Sequence, residues 1–165
     1  MSDALQLLPA TPADLAFVAG AEADPDNARW IIAWPEARHR KALADPDQEY
    51  LMLDAGEAGP VGYAMLAGLV SPHGSVELRR LVVTVKRRGH GRRALLALVQ
   101  RAFATHRAHR LWLDVKAHNQ PARSLYLSEG FRVEGTLREC LLGPEGYESL
   151  VVMALLAREW AGRAY

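Results

Sequence analysis

Two glycines stand between an apolar strand pattern and a helical pattern in the stretch "ELRRLVVTVKRRGHGRRALLALV", which runs from Glu77 to Val99. Glycines in such a turn let backbone N–H groups converge on one point, and a helix N-terminus adds partial positive charge there. Basic side chains surround Gly89 and Gly91, namely Lys86, Arg87, Arg88, Arg92 and Arg93. The stretch therefore predicts a phosphate site, with a pyrophosphate as its natural ligand.

Two other interpretations of this turn stay open on the glycines alone. The first is a plain tight turn flanked by solvated arginines, because a lone Gly-x-Gly is weak evidence of a ligand. The second is a dinucleotide site, which requires G-x-G-x-x-G and an acidic residue at the end of the next strand. Asp114 fits that acidic position, but Ala94 replaces the third glycine. Only one parallel crossover is visible, which argues against a doubly wound sheet.

The elements that position this turn form a strand, helix and strand crossover. From Gly91 onward, apolar residues recur at three- and four-residue spacing as far as Phe103, which predicts a helix that ends near Ala108. The segment "RLWLDV" then reads as a buried strand. Further strands are predicted at "ALQLLPA", "EYLMLD", "VGYAMLAGLV", "VELRRLVVTV", "FRVEGTLREC" and "YESLVVMALL". The pattern indicates an α+β fold with a mixed sheet.

Further helices are predicted from start and stop signals. Thr11 and Pro12 begin a helix that runs to Ala23, and "DPDN" breaks it. A second helical region carries Trp30 and Trp34, and Pro35 permits a restart. The last of these helices begins around Asn119 and Pro121 and stops at Gly130.

Composition limits the classes of function. The 165 residues are half hydrophobic and predict one domain over 1–165. A net charge of +1 argues against a nucleic-acid binder. That function stays an alternative because basic residues cluster at the glycine turn. No stretch is apolar enough for a membrane span, and the N-terminus lacks signal-peptide features, so we expect a cytoplasmic protein. The segment "YESLVVMALL" predicts a sheet edge at which a homodimer forms.

The segment "NQPARSLYLSEGF" has the form N-x-x-A-x-x-L-Y-x-x-x-G-F, and it follows the glycine turn along the chain. Both features together resemble the GNAT superfamily of acetyl-CoA-dependent N-acetyltransferases. The matching positions are Asn119, Ala122, Leu125, Tyr126, Gly130 and Phe131, with Gly89 and Gly91 in the first motif. The resemblance covers nearly the whole chain. It implies a mixed, mostly antiparallel central sheet with one parallel strand-helix-strand crossover, flanked by helices.

The resemblance implies that acetyl-CoA binds at the glycine turn. Two registers of the motif are open: Lys86 replaces the usual first residue in one, and Arg93 replaces the last glycine in the other. The cofactor-binding residues predicted in either register are Arg88, Gly89, His90, Gly91 and Arg92. Leu81, Val82 and Val83 are expected to bind pantetheine through backbone groups that a β-bulge exposes, with the Leu81 amide at the acetyl carbonyl. Asn119 is expected to hydrogen-bond the cofactor arm.

The reaction so implied is direct attack of an amine on a thioester, which needs neither a metal nor a protein nucleophile. Tyr126 is the candidate acid for the departing thiolate, because a phenol with a pKa near ~10 stays protonated at neutral pH. Glu77 is the candidate base, since some GNAT enzymes place a glutamate four positions before the acetyl-binding backbone. Without a bulge, Glu77 and Leu81 share one face of the strand. The alternative for Glu77 is an ion pair with Arg79 or Arg80.

The tryptophans and the histidines give two further predictions. Trp30 and Trp34 line an acceptor pocket or, as the simpler alternative, pack a helix face onto the core. The six histidines show no metal-ligand spacing, so no metal is assigned. The predicted function is transfer of an acetyl group to a primary amine of a small molecule or a protein, and the alternative is a catalytically idle acyl-CoA-binding module.

Overall fold

A computed structural model describes residues 5–163 and builds them around one seven-stranded sheet in the order β1-β2-β3-β4-β5-β7-β6. The strands are β1 (Gln6–Pro9), β2 (Gln48–Asp54), β3 (Pro60–Ala67), β4 (Ser75–Val83), β5 (Arg110–Lys116), β6 (Arg132–Gly143) and β7 (Gly146–Leu156). Only β4 and β5 pair in parallel; every other neighbouring pair is antiparallel. The predicted fold class is therefore confirmed. The single domain stays a prediction, and residues 1–4 and 164–165, which it includes, lie outside the described residues.

Six helices flank this sheet within the described residues. They are α1 (Leu15–Ala23), α2 (Pro25–Ala28), α3 (Glu36–Ala44), α4 (His90–Gln100), α5 (Gln120–Ser128) and α6 (Ala157–Ala161). A 3-10 turn at Pro12–Asp14 precedes α1, and a π-helical turn at Arg101–Thr105 continues α4. The α-helical part of α4 thus ends well before Ala108, the end expected from the apolar spacing.

The structure differs from the sequence prediction at three places. The segment "DPDN" does not simply break a helix: Asp24 caps α2, and Trp30 and Trp34 lie beyond α2 in irregular backbone. Strand β3 ends at Ala67, because the chain turns at Gly68, which has a φ of +80° and at which an added Cβ would lie 2.8 Å from the Ser75 carbonyl oxygen. Strand β7 lies between β5 and β6 and is therefore not a sheet edge. Strand order depends on non-local pairing, which the strand pattern alone does not encode.

The two parallel strands pair over a short length only. Their pairing runs from Ser75 opposite Arg110 to Glu77 opposite Trp112 and then stops. A β-bulge interrupts β4 at the same point, because Leu66 pairs with Leu78 and Met65 pairs with Arg80, which leaves Arg79 as the extra residue. Beyond this point β4 and β5 diverge. We call the V-shaped opening between them the fork.

Two hydrophobic clusters pack on opposite faces of the sheet. One contains α4, with Leu95 and Leu98 fully buried, and Tyr126 of α5 packs against it. The other contains α1 and α3, with Val18 buried against Tyr63 and Met65 of β3. The bulge redirects β4 between the two clusters. Val76 and Leu78 before it face the α4 cluster, and so do Leu81 and Val83 after it.

A charged cluster is buried beside α1. The Glu22 carboxylate is 2% exposed and accepts hydrogen bonds from the Tyr63 hydroxyl at 2.5 Å, Arg80 Nη1 at 2.9 Å and the Trp34 amide at 3.0 Å. His39 Nε2 lies 3.2 Å from the same carboxylate. Burial raises the pKa of the Tyr63 hydroxyl, so this hydroxyl stays a donor. The cluster joins α1, α3, β3, β4 and the irregular segment that carries Trp34.

We expect Glu22→Ala to lower the free energy of unfolding by about 3 kcal/mol, because it leaves the Arg80 guanidinium buried without a counter-charge. Urea unfolding followed by circular dichroism measures the change. Glu36→Ala is the matched control, since Glu36 pairs with Arg40 on the surface of α3, where both side chains are more than half exposed. The control should lose less than about 1 kcal/mol. Equal losses in the two variants would contradict a structural role for the Glu22 cluster.

Candidate active site

A cleft of about 1050 Å³ passes through the fork. It extends from the N-terminus of α4, past the ends of β4 and β5, to the segment that carries Trp30 and Trp34. The predicted site residues that line it are Trp30, Trp34, Glu77, Leu81, Val82, Val83, Gly89, His90, Gly91, Asn119 and Tyr126. Residues far apart in sequence thus share one space. Arg88 and Arg92 of the predicted set are not among its lining residues.

The end of the cleft at α4 has the backbone of an anion site. Gly89 caps the helix in the left-handed region, with φ +72°, and Arg87 just before it also has a positive φ of +60°. The first N–H groups of an α-helix have no acceptor within the helix, so those at the start of α4 are available to a ligand. A Cβ added at Gly91 would meet no atom within 4 Å. That open space beside helical N–H groups fits a pyrophosphate of acetyl-CoA.

The basic side chains around this turn have separate structural roles. Arg92 forms an ion pair with Glu129 at 2.5 Å, which ties α4 to the end of α5. Arg93 Nη2 donates to the Arg88 carbonyl at 3.0 Å and so braces the loop before the helix. Lys86 donates to the Asn27 side chain, and burial lowers the pKa of its ammonium. Lys86, Arg92 and Arg93 thus have partners within the protein, and the N–H groups at the start of α4 are the groups here that fit an anion.

The fork exposes backbone of β4. On one side, Leu81, Val82 and Val83 pair with Ala64, Tyr63 and Gly62 of β3. On the other side β5 has diverged, so alternate N–H and C=O groups of this segment face the cleft without a strand partner. This is the bulged, splayed arrangement expected for pantetheine binding. That the Leu81 amide meets the acetyl carbonyl stays a prediction.

Tyr126 and Asn119 both belong to the α5 region. Asn119 is the N-cap of the helix, and its side-chain oxygen accepts from the Ala122 amide at 3.3 Å. The Tyr126 ring packs against Phe131, with ring centroids 5.8 Å apart, while its hydroxyl makes no hydrogen bond with any described residue. Burial, followed by the negative charge of Asp114, raises the pKa of Tyr126 to about 12. Tyr126 is therefore protonated at neutral pH and has a free O–H.

Glu77 lies at the point where the parallel pairing ends, and its carboxylate is held by a neighbour. It accepts from Arg79 Nη2 at 2.7 Å and from Arg79 Nε at 3.0 Å, which is the ion pair weighed as the alternative. The bulge also places Glu77 and Leu81 on opposite faces of β4, whereas regular alternation puts them on one face. The assignment of Glu77 as the base remains a prediction. It has lost one argument, because Glu77 and Leu81 do not lie on the same face of β4.

Aromatic and aliphatic side chains line the end of the cleft opposite to the anion site. They are Trp30, Ile31, Ile32, Trp34, Leu141 and Leu150. Lys116 Nζ donates to the Arg29 carbonyl at 3.0 Å, and Arg80 Nη2 donates to the Ile32 carbonyl at 2.6 Å. The start and the middle of the irregular segment are therefore anchored to the strands that form the fork. The two tryptophans lie on this anchored segment rather than on a helix face.

The model of the Acetyltransferase (GNAT) family matches residues 15–131, which include the anion site, the fork and α5. The chain belongs to the GNAT acetyltransferase family. It is an N-acetyltransferase, and acetyl-CoA is its acetyl donor. The resemblance inferred from the two sequence motifs is thereby confirmed.

Solved structures similar to this GNAT chain include the spermidine N-acetyltransferase from Vibrio cholerae in complex with CoA and spermine, with 19% identity and a TM-score of 0.87. The match covers 98% of this chain and 100% of that one. A dodecameric structure of the spermidine N-acetyltransferase from Vibrio cholerae is 20% identical, with a TM-score of 0.84 over 99% and 100% of the two chains. At such identities the likeness shows a shared fold.

Sequence reasoning missed several residues of the cleft. Asp114 was considered only for a dinucleotide ribose, yet it lines the fork beside the GNAT motif residues. Its position at the end of the strand after the crossover was the signal that could have identified it. Glu22 does not line the cleft but holds Trp34 and Arg80, which do, and the sequence gave no signal for it because a glutamate in a short helix ordinarily faces solvent. Leu141 and Leu150 come from β6 and β7, and only the sheet order brings them to the site.

No group of three or more histidine, cysteine, aspartate or glutamate side chains among residues 5–163 is placed to hold a metal ion. No helix in the same range has the length and apolar character that crossing a membrane requires.

We expect Gly91→Val to weaken acetyl-CoA binding at least ~10-fold while the apo protein stays folded, because the added side chain occupies open space beside the helical N–H groups. Calorimetric titration measures the Kd, and thermal melting measures the fold. Wild-type protein should melt at a higher temperature with acetyl-CoA and not with NAD, since only a bound ligand stabilises the folded state.

The matched control for this variant is Gly20→Val. Gly20 is also a helical glycine at which an added Cβ meets nothing within 4 Å, but it lies on α1 away from the cleft. Its Kd for acetyl-CoA should equal that of the wild type. Unchanged affinity in Gly91→Val would place the phosphates elsewhere.

Proposed function

We propose that this GNAT chain transfers the acetyl group of acetyl-CoA directly to a primary amine of a small molecule or of a peptide or protein. The observation that carries the proposal is the single cleft that joins the anion site at Gly91 to a compartment beyond the fork. The donor binds from the anion site to the fork, and the acceptor binds in the compartment. The thioester and the amine therefore meet between Tyr126 and the carboxylates of the fork.

The charges of the cleft favour an acceptor with one ammonium group. Seven cationic side chains line the cleft, but Arg79, Arg80 and Lys116 are paired with Glu77, Glu22 and Glu148, and Lys86 and Arg87 lie at the anion site. Arg29 and Arg38 are the cationic lining residues that remain at the acceptor end. Arg38 lies over the Trp34 ring at 3.8 Å and Arg29 over the Trp30 ring at 4.7 Å, with no carboxylate partner for either among residues 5–163. A polyamine would bring several charges of the same sign next to these arginines.

Apolar walls at the acceptor end favour a monoamine that carries an apolar group. Trp30, Ile32, Leu141 and Leu150 offer such contacts around the fork. The polyamine named for the similar solved structure, spermine, belongs to that protein. We place an aromatic monoamine ahead of a polyamine for this chain, on the basis of its own lining residues.

Release of free CoA from acetyl-CoA, followed with a thiol reagent, tests the proposal with benzylamine, spermidine and a short peptide with a free N-terminus. We expect turnover with benzylamine or the peptide at a higher kcat/KM than with spermidine.

Tyr126→Phe should keep the Kd for acetyl-CoA and lower kcat by ~100-fold, because it removes only the hydroxyl that protonates the thiolate.

Two outcomes would contradict parts of this proposal. Binding of acetyl-CoA without turnover of any amine would favour the idle acyl-CoA-binding module. Full turnover in Tyr126→Phe would return Tyr126 to a packing role and leave the acid unassigned.

We also propose that the chain forms a homodimer through the β6–β7 hairpin. Strand β6 is an edge of the sheet and carries exposed apolar residues, among them Val133, Leu137 and Leu142, with Tyr147 of β7 beside them. Light scattering at assay concentration should give twice the 18.2 kDa chain mass. Leu142→Asp, at a position 70% exposed, should shift the mass toward one chain. A monomer mass for the wild type would contradict the dimer.

The expected cytoplasmic location also stays a prediction.

A further inference from the structure

Asp114 occupies the centre of the fork. It follows Trp112, the last residue of β5 that pairs with β4, by two positions, and it pairs with Val152 of β7 on its other side. Leu113 and Val115 on either side of it are buried in the α4 cluster, so Asp114 points to the opposite face of the sheet. Its carboxylate is exposed to the cleft. An amine that approaches the fork from the acceptor compartment therefore meets this carboxylate.

Asp114 also differs from its charged neighbours in having no partner. Its carboxylate makes no hydrogen bond or ion pair with any of residues 5–163. Glu77 is paired with Arg79 at 2.7 Å, and Lys116, the next residue on the Asp114 face of β5, is paired with Glu148 at 2.7 Å. Of the two carboxylates at the fork, only Asp114 has all its acceptor positions open to a substrate.

The charges around Asp114 suit a proton acceptor. Burial and the neighbouring charge of Glu77 raise the pKa of the Asp114 carboxyl, and Arg79 opposes this shift. The phenol of Tyr126 on α5 is near enough to Asp114 for the carboxylate charge to raise the pKa of the phenol. Lys116 on its own strand is neutralised by Glu148. Asp114 thus interacts electrostatically with both candidate catalytic residues of the sequence analysis.

We propose that Asp114 is the catalytic base that removes the first proton from the acceptor ammonium; this rests on the proposed function. A proton moves from the ammonium nitrogen to the Asp114 carboxylate, and the freed lone pair forms the N–C bond with the acetyl carbon. The C–S bond breaks with its electron pair on sulfur, which takes the Tyr126 hydroxyl proton. The second amine proton restores the Tyr126 phenol, and the Asp114 proton leaves to solvent.

This assignment couples the base to the acid. The negative charge of Asp114 makes Tyr126 a weaker acid, so a proton on Asp114 removes that effect. Tyr126 therefore becomes a better donor once the amine has lost its proton and the thiolate is about to leave. The order of proton transfers follows from this electrostatic interaction between two side chains that line the same cleft.

The test compares Asp114→Asn with Glu77→Gln in the full-length protein, using whichever of benzylamine, spermidine and the peptide the wild type acetylates fastest. We expect Asp114→Asn to lower kcat/KM by ~100-fold at pH 7 and by less than ~10-fold at pH 9.5, where free amine is plentiful. Glu77→Gln should lose only a few-fold in rate. Its rate should begin to fall at a lower pH than that of the wild type, because loss of the Glu77 charge lowers the pKa of Asp114.

Controls separate this role from a structural one. Glu57→Gln, a surface change in the turn between β2 and β3, should match the wild type at every pH. Asp114→Glu should recover part of the pH-dependent rate, and all variants should keep the wild-type Kd for acetyl-CoA. An equal loss in Asp114→Asn at both pH values, or a larger pH-dependent loss in Glu77→Gln, would overturn the proposal.

A second measurement does not depend on turnover. Titration of ¹³C-labelled tyrosine by nuclear magnetic resonance, with Tyr126→Phe to assign the signal, should show a lower pKa for Tyr126 in Asp114→Asn than in the wild type. An unchanged Tyr126 pKa would overturn the coupling. Failure of the wild type to acetylate any amine would instead refute the proposed function, and with it a base for that reaction.

Discussion

The site depends on the early end of hydrogen bonding between β4 and β5. Parallel pairing past Glu77 and Trp112 would fill the space between the strands with their own ladder, and no cleft would cross the sheet. Because pairing stops there, the backbone groups of Leu81–Val83 that point toward β5 have no strand partner, although the groups on the other side pair with β3. Unpaired backbone groups are costly when they are buried. A ligand in the fork supplies the hydrogen-bond partners that β5 does not supply to these backbone groups.

The buried Glu22 cluster supports the acceptor side of this opening. Arg80, one residue past the bulge, bonds both Glu22 and the Ile32 carbonyl, so one guanidinium links the core to the segment that covers the cleft. Its carbon Cζ also lies 4.3 Å from the Trp34 ring centroid. The buried Glu22 carboxylate is stable here because Arg80 balances its charge and Tyr63 and the Trp34 amide donate hydrogen bonds to it. The acceptor wall is therefore held through Glu22 of α1 as well as by contacts within the wall.

Local patterns in the sequence predicted most elements and the donor side of the site. The glycines, the helix that follows them and the capping Asn119 are close in sequence, so their geometry follows from short-range rules. On the acceptor side, the sequence predicted Trp30 and Trp34 but not Asp114, Leu141 or Leu150. A one-residue bulge at Arg79 reverses the faces of β4 and separates Glu77 from Leu81, and no residue type marks such an insertion. The place of β7 between β5 and β6 likewise depends on pairing between distant segments.

Acid and base on opposite sides of one opening explain why the proposed reaction needs no covalent intermediate on the protein. Cys140 lies exposed on β6 and does not line the cleft, so no thiol is placed to carry the acetyl group. Tyr126 belongs to the α5 side, which packs on the α4 cluster, whereas Asp114 points to the other face of the sheet. A thioester between the open strands has a proton donor on the α5 side and a proton acceptor on the side from which the amine approaches. The same divergence of β4 and β5 that admits the donor thus brings Asp114 close enough to Tyr126 for its negative charge to raise the pKa of the phenol.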